Sequence, residues 1–515
     1  MKKLPIGIQT FEEIINNNYL YVDKTKQIYD VINSGKAFFI SRPRRFGKSL
    51  LCSTLEEIFK GNKELFKGLW IYDSDYKWDE HPVIRIDMSS LVTDSPEEFK
   101  ESLNRNIKNL ASKHGIKIDN ISHPKDRIKY LIEELSKKNK IVIIIDEYDK
   151  PILDNISDPT VAAKIRSILR GFYSTFKESD QYLKFVFLTG VTRFSKISIF
   201  SGLNNLYDLT FEKEAETLLG YTQKEVDFYF EERIKQFASE QKTSKTQILL
   251  QLKDWYNGYS FFDGEKKVYN PFSILLALKS FNFRNYWFET GTPTFLLDLI
   301  KEKGFDHMDP KSFEATEIDL SNFEIETLPV KTTLFQTGYL TIIGFNQERR
   351  RYYLDYPNFE VKESFLELLL CSMTTIEQVA VDDTFHDLAN ALKNNNLEEF
   401  ISVLKNFYSQ IPYTIQNTNE KYYQSIFFII LRLLGIKVEV EITTNMGRID
   451  ALVTVKNNLY IFEFKINQDA KKALLQIMDK KYYEGYLKRN KIINLVGINF
   501  DTKQKNIANW EHKKL

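Results

Sequence analysis

Residues 36–210 alternate between short apolar runs and longer segments with helical periodicity. The apolar runs are rich in β-branched and aromatic residues and predict strands at Ala37–Ile40, Val83–Asp87, Ile141–Ile145, Phe185–Leu188 and Leu206–Leu209. Strands that are apolar throughout and are separated by helices are typical of a parallel sheet covered on both faces. The first domain is therefore expected to be α/β.

Beyond residue 214 the pattern becomes mainly helical, with periodic segments at Lys224–Phe237, Lys245–Trp255 and Asn358–Phe407. From Glu420 it changes again, to a long apolar helix over Tyr422–Leu434, three strands and a closing helix. These changes predict four domains: an α/β core (1–215), a helical lid or winged subdomain (216–300), a helical middle domain (301–415) and a second α/β domain (416–515).

Composition narrows the class of protein. The 515 residues are 43% apolar and 27% charged, as in folded globular proteins, and 71 basic against 70 acidic residues exclude a uniformly basic nucleic-acid coat. Two distant cysteines and six scattered histidines disfavour disulfides and a histidine or thiolate metal site, so any metal should be held by carboxylates. With neither a signal peptide nor a membrane-spanning stretch, we expect a cytoplasmic protein.

A phosphate-binding loop is predicted between the first strand and the next helix. The sequence SRPRRFGKSLL places Gly47, Lys48 and Ser49 at a helix start, whose free N–H groups attract anions. In this pattern Lys48 contacts the β- and γ-phosphates and the Ser49 hydroxyl binds Mg²⁺. Arg45 is the other loop residue expected to bind nucleotide. The generic pattern GxxxxGK[ST] has glycine where this sequence has Arg42, and a capped surface turn would give the same triplet.

Two further strands end in polar residues. Asp146 follows five aliphatic residues, where it can hold Mg²⁺, and Glu147 can polarise an attacking water. Thr189 ends the next strand and is expected to sense the γ-phosphate, while Arg193 can supply positive charge in the same or a neighbouring subunit. Solvated acids, a turn cap at Thr192 and a surface ion pair are the alternatives. The acidic pair, together with the phosphate loop, favours ATP binding and hydrolysis.

Five segments together resemble the AAA-ATPase-like domain of the archaeal-ATPase type: LPIGIQTFEEIINNNYLYVDKT, RPRRFGKSL, IIIDEYDKP, LTGVTRFS and WYNGYSF…VYNPFSILLAL. The resemblance covers about the first 280 residues, and an arginine-rich loop without its first glycine is the family's own form. It implies an ATP-binding P-loop fold with Lys48 and Ser49 in the loop and with Asp146 and Glu147 as the acidic pair.

Two strands near the C-terminus carry a second set of charged residues. An Asn-Asn pair tolerates the positive φ of a tight turn, so GRIDALVTV and NLYIFEFK should form a hairpin. With Asn457 and Asn458 as turn residues, Asp450 falls opposite Lys465 and diagonal to Glu463, on one sheet face. Two carboxylates can hold Mg²⁺, and a lysine can stabilise a pentacovalent phosphate. A solvated polar face has the same spacing, but the apolar flanks favour a buried set.

This order of elements resembles the PD-(D/E)XK nuclease superfamily, in the branch fused to AAA-ATPase-like domains. The resemblance covers about residues 415–500 and implies Asp450, Glu463 and Lys465 as catalytic residues, with the metal on the two carboxylates. It implies further roles for Gln476 on the following helix and Glu420 at the start of the preceding one. The expected architecture is an α/β P-loop ATPase with a helical lid and middle region, followed by a restriction-endonuclease-like α/β domain.

The local charge favours a polyanionic partner. From Glu420 to Leu515 there are 17 basic and 10 acidic residues, a difference of 17 − 10 = +7. Three tyrosines interleaved with basic residues suit either base stacking or core packing: Tyr482, Tyr483 and Tyr486. We expect ATP with Mg²⁺ or Mn²⁺ to control a nuclease that cuts nucleic acid, DNA above all, with a defence role associated by family. The alternative is a nucleotide-switched interaction protein that binds without cutting, and a homo-oligomer is left open.

Overall fold

The computed structural model describes the chain apart from residues 194–199, 201–202, 204, 289–295, 297–298, 301–313, 322–328, 375–377, 412–419, 435, 445–446 and 490, and apart from a few side chains, that of Glu420 among them. The chain divides into two compact units: Met1–Leu299 with Phe313–Val361, and Ile300–Ser312 with Lys362–Leu515. No helix within the described ranges is long and apolar enough to cross a membrane.

The centre of the first unit is a parallel sheet of five strands in the order β2-β3-β4-β1-β5. The strands are β1 (Ala37–Ser41), β2 (Val83–Asp87), β3 (Ile141–Asp146), β4 (Leu183–Gly190) and β5 (Tyr207–Asp208). All six residues of β3 are buried, as expected for a strand covered on both faces. The sheet predicted from the apolar runs is confirmed. Because β4 lies between β1 and β3, the residues at its carboxyl end lie between the phosphate loop and the acidic pair.

Helices cover both faces of this sheet, and several begin at side-chain caps. Ser95 and Asp158 accept hydrogen bonds from main-chain N–H groups of the first turn, and proline follows each of them. The helices of this region are Phe11–Asn16, Thr25–Ser34, Lys48–Phe59, Pro96–Lys113, Pro124–Ser136, Lys150–Leu153 and Pro159–Glu178. Short 3-10 turns lie at Lys63–Phe66, Trp70–Asp73, Met88–Ser90, Asp180–Tyr182 and Lys213–Ala215.

The lid segment of the first unit, for which a helical lid or a winged subdomain was expected, contains four helices among its described residues and is followed by a small sheet. The lid helices are Gln223–Tyr229, Glu231–Glu240, Lys245–Tyr256 and Pro271–Ser280, with the two-stranded ladder of β6 (Tyr221–Thr222) and β7 (Val268–Tyr269). Next come β8 (Glu314–Ala315), helices Glu317–Ser321 and Val330–Thr337, β9 (Thr341–Asn346) and β10 (Arg351–Asp355). The last three strands form an antiparallel sheet ordered β8-β10-β9, within the stretch where only helices were expected.

The second unit consists of helices and a five-stranded mixed sheet. Its helices are Phe359–Thr374, which begins in the first unit, Gln378–Lys393, Leu397–Ser409, Glu420–Leu433 and Ala470–Asp479, with a 3-10 turn at Glu484–Arg489. The sheet runs in chain order through β11 (Lys437–Thr444), β12 (Gly447–Val455), β13 (Asn458–Ile466), β14 (Ile492–Asp501) and β15 (Asn506–Lys514). Only β13 and β14 are parallel, and helix Ala470–Asp479 connects them. Three strands and a closing helix were expected, but the chain ends in β15.

Candidate functional sites

The loop between β1 and helix Lys48–Phe59 has the backbone of an anion cradle. Gly47 caps the helix with φ 90°, a conformation that favours glycine, and Arg45 has φ 68°. The loop opens onto a cavity of about 440 Å³ whose lining includes Arg45, Gly47, Lys48, Ser49 and Glu147. A cavity of this volume suits a nucleotide-sized ligand. The structure therefore places all four predicted loop residues, Arg45, Gly47, Lys48 and Ser49, at one pocket.

The Lys48 ammonium is held by its own loop. Its Nζ donates to the carbonyl oxygens of Arg42 and Pro43, each at 3.0 Å, and its side chain is buried. Burial lowers the pKa of Lys48, while the carboxylates of Glu147 and Asp146 act in the opposite direction. A buried cation that donates to two neutral carbonyls is well placed to exchange them for a phosphate.

Arg42, the residue that departs from the generic loop pattern, serves as an internal anchor. Its guanidinium donates to the carbonyl oxygens of Ser41 at 2.8 Å, Thr210 at 2.9 Å and Ala215 at 3.0 Å. It is 1% exposed, lies 4.0 Å from the ring centre of Phe261, and burial lowers its pKa to about 9. The side chain thus fixes the base of the phosphate loop to the chain that follows β5.

The acidic pair lies at the carboxyl end of β3. Asp146 is buried and accepts a 2.5 Å hydrogen bond from the Thr189 hydroxyl and a 3.1 Å bond from the Glu147 N–H. Glu147 has φ 52° and lines the cavity, and burial raises its pKa. A carboxylate with a raised pKa at the cavity wall is suited to accept a proton from water.

Arg193 is not among the residues that line the cavity. Its Nε lies 2.5 Å from Asp208 Oδ2 in a largely buried ion pair, and its main-chain N–H donates to Gln336 Oε1 at 2.9 Å. Thr192 just before it donates from its N–H and its hydroxyl to buried Asp149, both at 2.6 Å. The structure therefore brings Thr189 to the acidic pair and places Arg193 against β5 instead.

Two residues that sequence reasoning missed fix the outer side of the phosphate loop. Asn270 Nδ2 and Trp287 Nε1 both donate to the carbonyl oxygen of Arg44, at 3.5 and 3.2 Å. The ring of Phe46 packs edge-on against Tyr259 at 4.8 Å between ring centres. Through these contacts, the segments that follow residue 254 fix the phosphate loop at the Arg44 carbonyl and at the Phe46 ring.

In the second unit, the turn between β12 and β13 differs from the prediction. Val455 pairs with Asn458, so the turn residues are Lys456, which has φ 51°, and Asn457. Continued by one pair beyond Ala451 and Phe462, this register sets Asp450 opposite Glu463 and not opposite Lys465. The predicted register was wrong by two residues. Since a shift of two leaves each side chain on its face, the charged residues still share one face.

The charged residues form a connected group around Glu463. Glu463 is 2% exposed, and its Oε1 accepts hydrogen bonds from Lys465 Nζ, at 3.3 Å, and from Gln476 Nε2. Asp450 Oδ2 accepts a 2.9 Å hydrogen bond from the Phe464 N–H, which holds the Asp450 carboxylate against β13. The structure thus brings together four of the five residues predicted for this site. The side chain of the fifth, Glu420, lies outside the described residues, although its helix begins at Glu420.

Gly497 controls how closely helix Ala470–Asp479 approaches the sheet. It pairs with Glu463 across β13 and β14, and a Cβ at Gly497 would lie 2.4 Å from the Ala470 carbonyl oxygen and 2.7 Å from the Leu474 nitrogen. Only glycine allows this approach, which brings Gln476 to Glu463. Nothing in the local sequence pattern marks Gly497, because its role depends on packing between elements distant along the chain.

The interleaved tyrosines contribute to the core of this unit. Tyr482 is 3% exposed within an apolar cluster, and Tyr483 and Tyr486 pack partly buried against the same cluster. Core packing therefore accounts for Tyr482, while Lys480 and Lys481 are exposed.

The donor set suits a small divalent cation. Two carboxylates on adjacent strands supply hard oxygen ligands, and Mg²⁺ commonly completes its shell with water and phosphate oxygens. Among the described residues, no group of three or more His, Cys, Asp or Glu side chains could hold a metal ion. A metal at Asp450 and Glu463 would have these two carboxylates as its ligands among the described acidic side chains, and further oxygen ligands would complete its shell.

These features define a P-loop ATPase-like unit joined to a PD-(D/E)XK-type sheet. The family model described as Predicted AAA-ATPase matches residues 5–200, and that of the PD-(D/E)XK nuclease superfamily matches residues 418–510. A curated protein from Azotobacter chroococcum mcd 1, described as "Uncharacterized protein in vnfD 5'region", is 38% identical over 524 residues, which cover 99% of this chain and 98% of that protein. The chain belongs to the family of AAA-ATPase-like proteins that carry a C-terminal PD-(D/E)XK nuclease superfamily domain. Both resemblances inferred from the sequence are confirmed.

Proposed function

We propose that the protein is an ATP-controlled nuclease: the first unit binds and hydrolyses ATP, and the second cleaves nucleic-acid phosphodiesters, DNA above all, with a divalent metal. The observation that supports this most is the group around Glu463. A buried carboxylate that receives hydrogen bonds from a lysine and a glutamine, beside a second carboxylate on the next strand, is costly unless it has a chemical task.

In this proposal Asp450 and Glu463 hold Mg²⁺ or Mn²⁺, which would supply charge stabilisation at the scissile phosphate. Lys465 orients the attacking water or stabilises the developing phosphate charge. Gln476 is a positioning residue, since it donates to Glu463 Oε1. Exposed Lys480 and Lys481, with the basic excess of the region, would contact the phosphate backbone.

In the first unit, Lys48 would leave its two loop carbonyls for the β- and γ-phosphates, and Ser49 and Asp146 would hold Mg²⁺. Glu147 would accept the proton of the attacking water, and Thr189, bonded to Asp146, would report the γ-phosphate. Arg193 would act on nucleotide only after leaving Asp208, so its predicted role requires a rearrangement of this ion pair.

The test is a cleavage assay on plasmid and single-stranded DNA with Mg²⁺ or Mn²⁺, with and without ATP. Asp450→Ala, Glu463→Ala and Lys465→Ala should each lower cleavage by several orders of magnitude while DNA affinity is kept. Asp479→Ala, which removes an exposed carboxylate from the same region, is the matched control and should cut like the wild type. Persistent cleavage in an Asp450→Ala, Glu463→Ala double variant would refute the site.

A further inference from the structure

The tip of the β9–β10 hairpin concentrates positive charge. Asn346 pairs with Arg351, so the four residues between them form the turn, and the tip reads Gln347, Glu348, Arg349, Arg350, Arg351. The four turn residues are all exposed. Three arginines against one glutamate give the tip a charge of 3 − 1 = +2.

The turn has a defined conformation. The Arg349 N–H donates to Asn346 Oδ1 at 2.9 Å, and Arg350 adopts φ 49°. Left-handed backbone is usually occupied by glycine, asparagine or aspartate, so an arginine at this position is disfavoured by the local backbone.

The arginines of the tip differ in what their side chains contact. Arg351 lies at the base, with its guanidinium 3.8 Å from Asp319. Within the described part of the chain, no acidic side chain forms an ion pair with Arg349 or Arg350. Two exposed guanidinium groups on a rigid turn therefore face solvent, where they can bind anions in a bidentate way.

The helix that precedes the hairpin, Val330–Thr337, is mostly buried and so does not offer a face for contact with DNA bases. Seven of the eight residues of Val330–Thr337 are buried, Gln336 binds the Arg193 N–H, and Phe335 stacks on Phe211 at 5.8 Å between ring centres. The exposed residues of the hairpin include the four turn residues and, on β9, Ile343 and Phe345. The exposed guanidinium groups of such a surface can contact a phosphate backbone.

We infer that the β9–β10 hairpin of the first unit is a nucleic-acid contact that binds the phosphate backbone through Arg349 and Arg350. Charge complementarity between the two exposed arginines and a phosphate backbone favours this partner. The inference is separate from the proposed cleavage, because backbone contact needs neither metal nor the second unit's carboxylates.

The test is binding of a fluorescein-labelled DNA duplex to the full chain in EDTA, followed by anisotropy over a range of salt concentrations. The double variant Arg349→Ala, Arg350→Gly should bind on the order of tenfold more weakly, and the slope of log affinity against log salt should fall by about 1.8, since each lost phosphate contact removes about 0.9. Its thermal midpoint should stay equal or rise, because glycine relieves the left-handed backbone of Arg350.

Lys137→Ala with Lys138→Ala is the control, since it removes the same charge from the exposed C-terminal end of helix Pro124–Ser136. An unchanged affinity and slope in the arginine variant would overturn the inference, and so would an equal loss in the control variant. Displacement of the DNA by polyglutamate of matched charge would instead assign the surface to an acidic protein. Because EDTA prevents cleavage, a failed nuclease assay leaves this result intact.

Discussion

Replacing Arg42 with glycine would complete the generic GxxxxGK[ST] pattern, yet we expect the variant to be less stable and to bind ATP poorly. In the structure the Arg42 guanidinium supplies three hydrogen bonds to carbonyl oxygens in a buried site. Bonds of this kind to a charged donor contribute about 1.5–3 kcal/mol each, or roughly 4.5–9 kcal/mol for three.

Desolvation opposes much of this gain. Burial lowers the pKa of Arg42 to about 9, because the buried guanidinium has lost the hydration that it has in the unfolded chain. The cost of truncation is set by what remains: three buried carbonyls without their donor, at about 1 kcal/mol or more each. We therefore expect Arg42→Gly to lower the free energy of unfolding of the first unit by about 3 kcal/mol.

Urea unfolding followed by tryptophan fluorescence suits this test, because four of the five tryptophans lie in the first unit: Trp70, Trp78, Trp255 and Trp287. Arg44→Gly, which changes an exposed arginine of the same loop, is the control and should alter stability by under about 0.5 kcal/mol. ATP affinity should fall on the order of tenfold in Arg42→Gly, because the carbonyls that hold Lys48 would move. An Arg42→Gly variant as stable as Arg44→Gly, with wild-type ATP affinity, would refute this account of the loop.

Three further predictions concern single residues. Lys48→Ala should abolish binding of a fluorescent ATP analogue, since the ammonium is the buried cation at the phosphate loop, and undiminished binding would contradict the assignment. Glu147→Gln should keep ATP binding and lose turnover. The wild-type ATPase rate should decline as pH falls through the pKa of Glu147, because the ionised carboxylate accepts a proton and the protonated acid does not. Since burial raises this pKa, the midpoint of the decline should lie above the ordinary value of 4.5. A midpoint at or below 4.5 would count against this role. Gly497→Ala should destabilise the second unit by about 1–3 kcal/mol and impair cleavage, because the new Cβ would clash with the Ala470 carbonyl oxygen. The control Gly485→Ala should do neither, since a Cβ at Gly485 meets nothing within 4 Å. Equal effects of the two substitutions would exclude the packing argument.

The parts of the fold that follow from periodicity could be predicted from the sequence. The buried run of β3 and the helix that begins at Lys48 have local signals, so the sheet and the phosphate loop were recognised. The β12–β13 register was not, because hydrophobic alternation cannot distinguish pairings that differ by two residues. The turn decided it, with the positive φ on Lys456 and not in the Asn-Asn pair.

The unforeseen contacts around both sites join residues far apart in sequence. The Arg42 guanidinium donates hydrogen bonds to the carbonyl oxygens of Thr210 and Ala215. Gly497 allows the close approach of helix Ala470–Asp479, which lies about 20 residues earlier in the chain. No spacing rule encodes such pairs, since each depends on the packed arrangement of several elements. Arg193 shows the same limit, because its ion pair with Asp208 arises from the pairing of β5 with β1.

The central claim is that ATP controls cleavage, and the most direct measurement is the initial rate of metal-dependent DNA cleavage as a function of ATP concentration. The account predicts that ATP changes the wild-type cleavage rate and that Lys48→Ala abolishes this change. Glu147→Gln, which still binds ATP, should keep the part of the change that ATP binding alone produces. The residual cleavage of Lys48→Ala should equal that of the wild type without ATP. A wild-type rate independent of ATP, or an unaltered response in Lys48→Ala, would contradict the coupling of the two units.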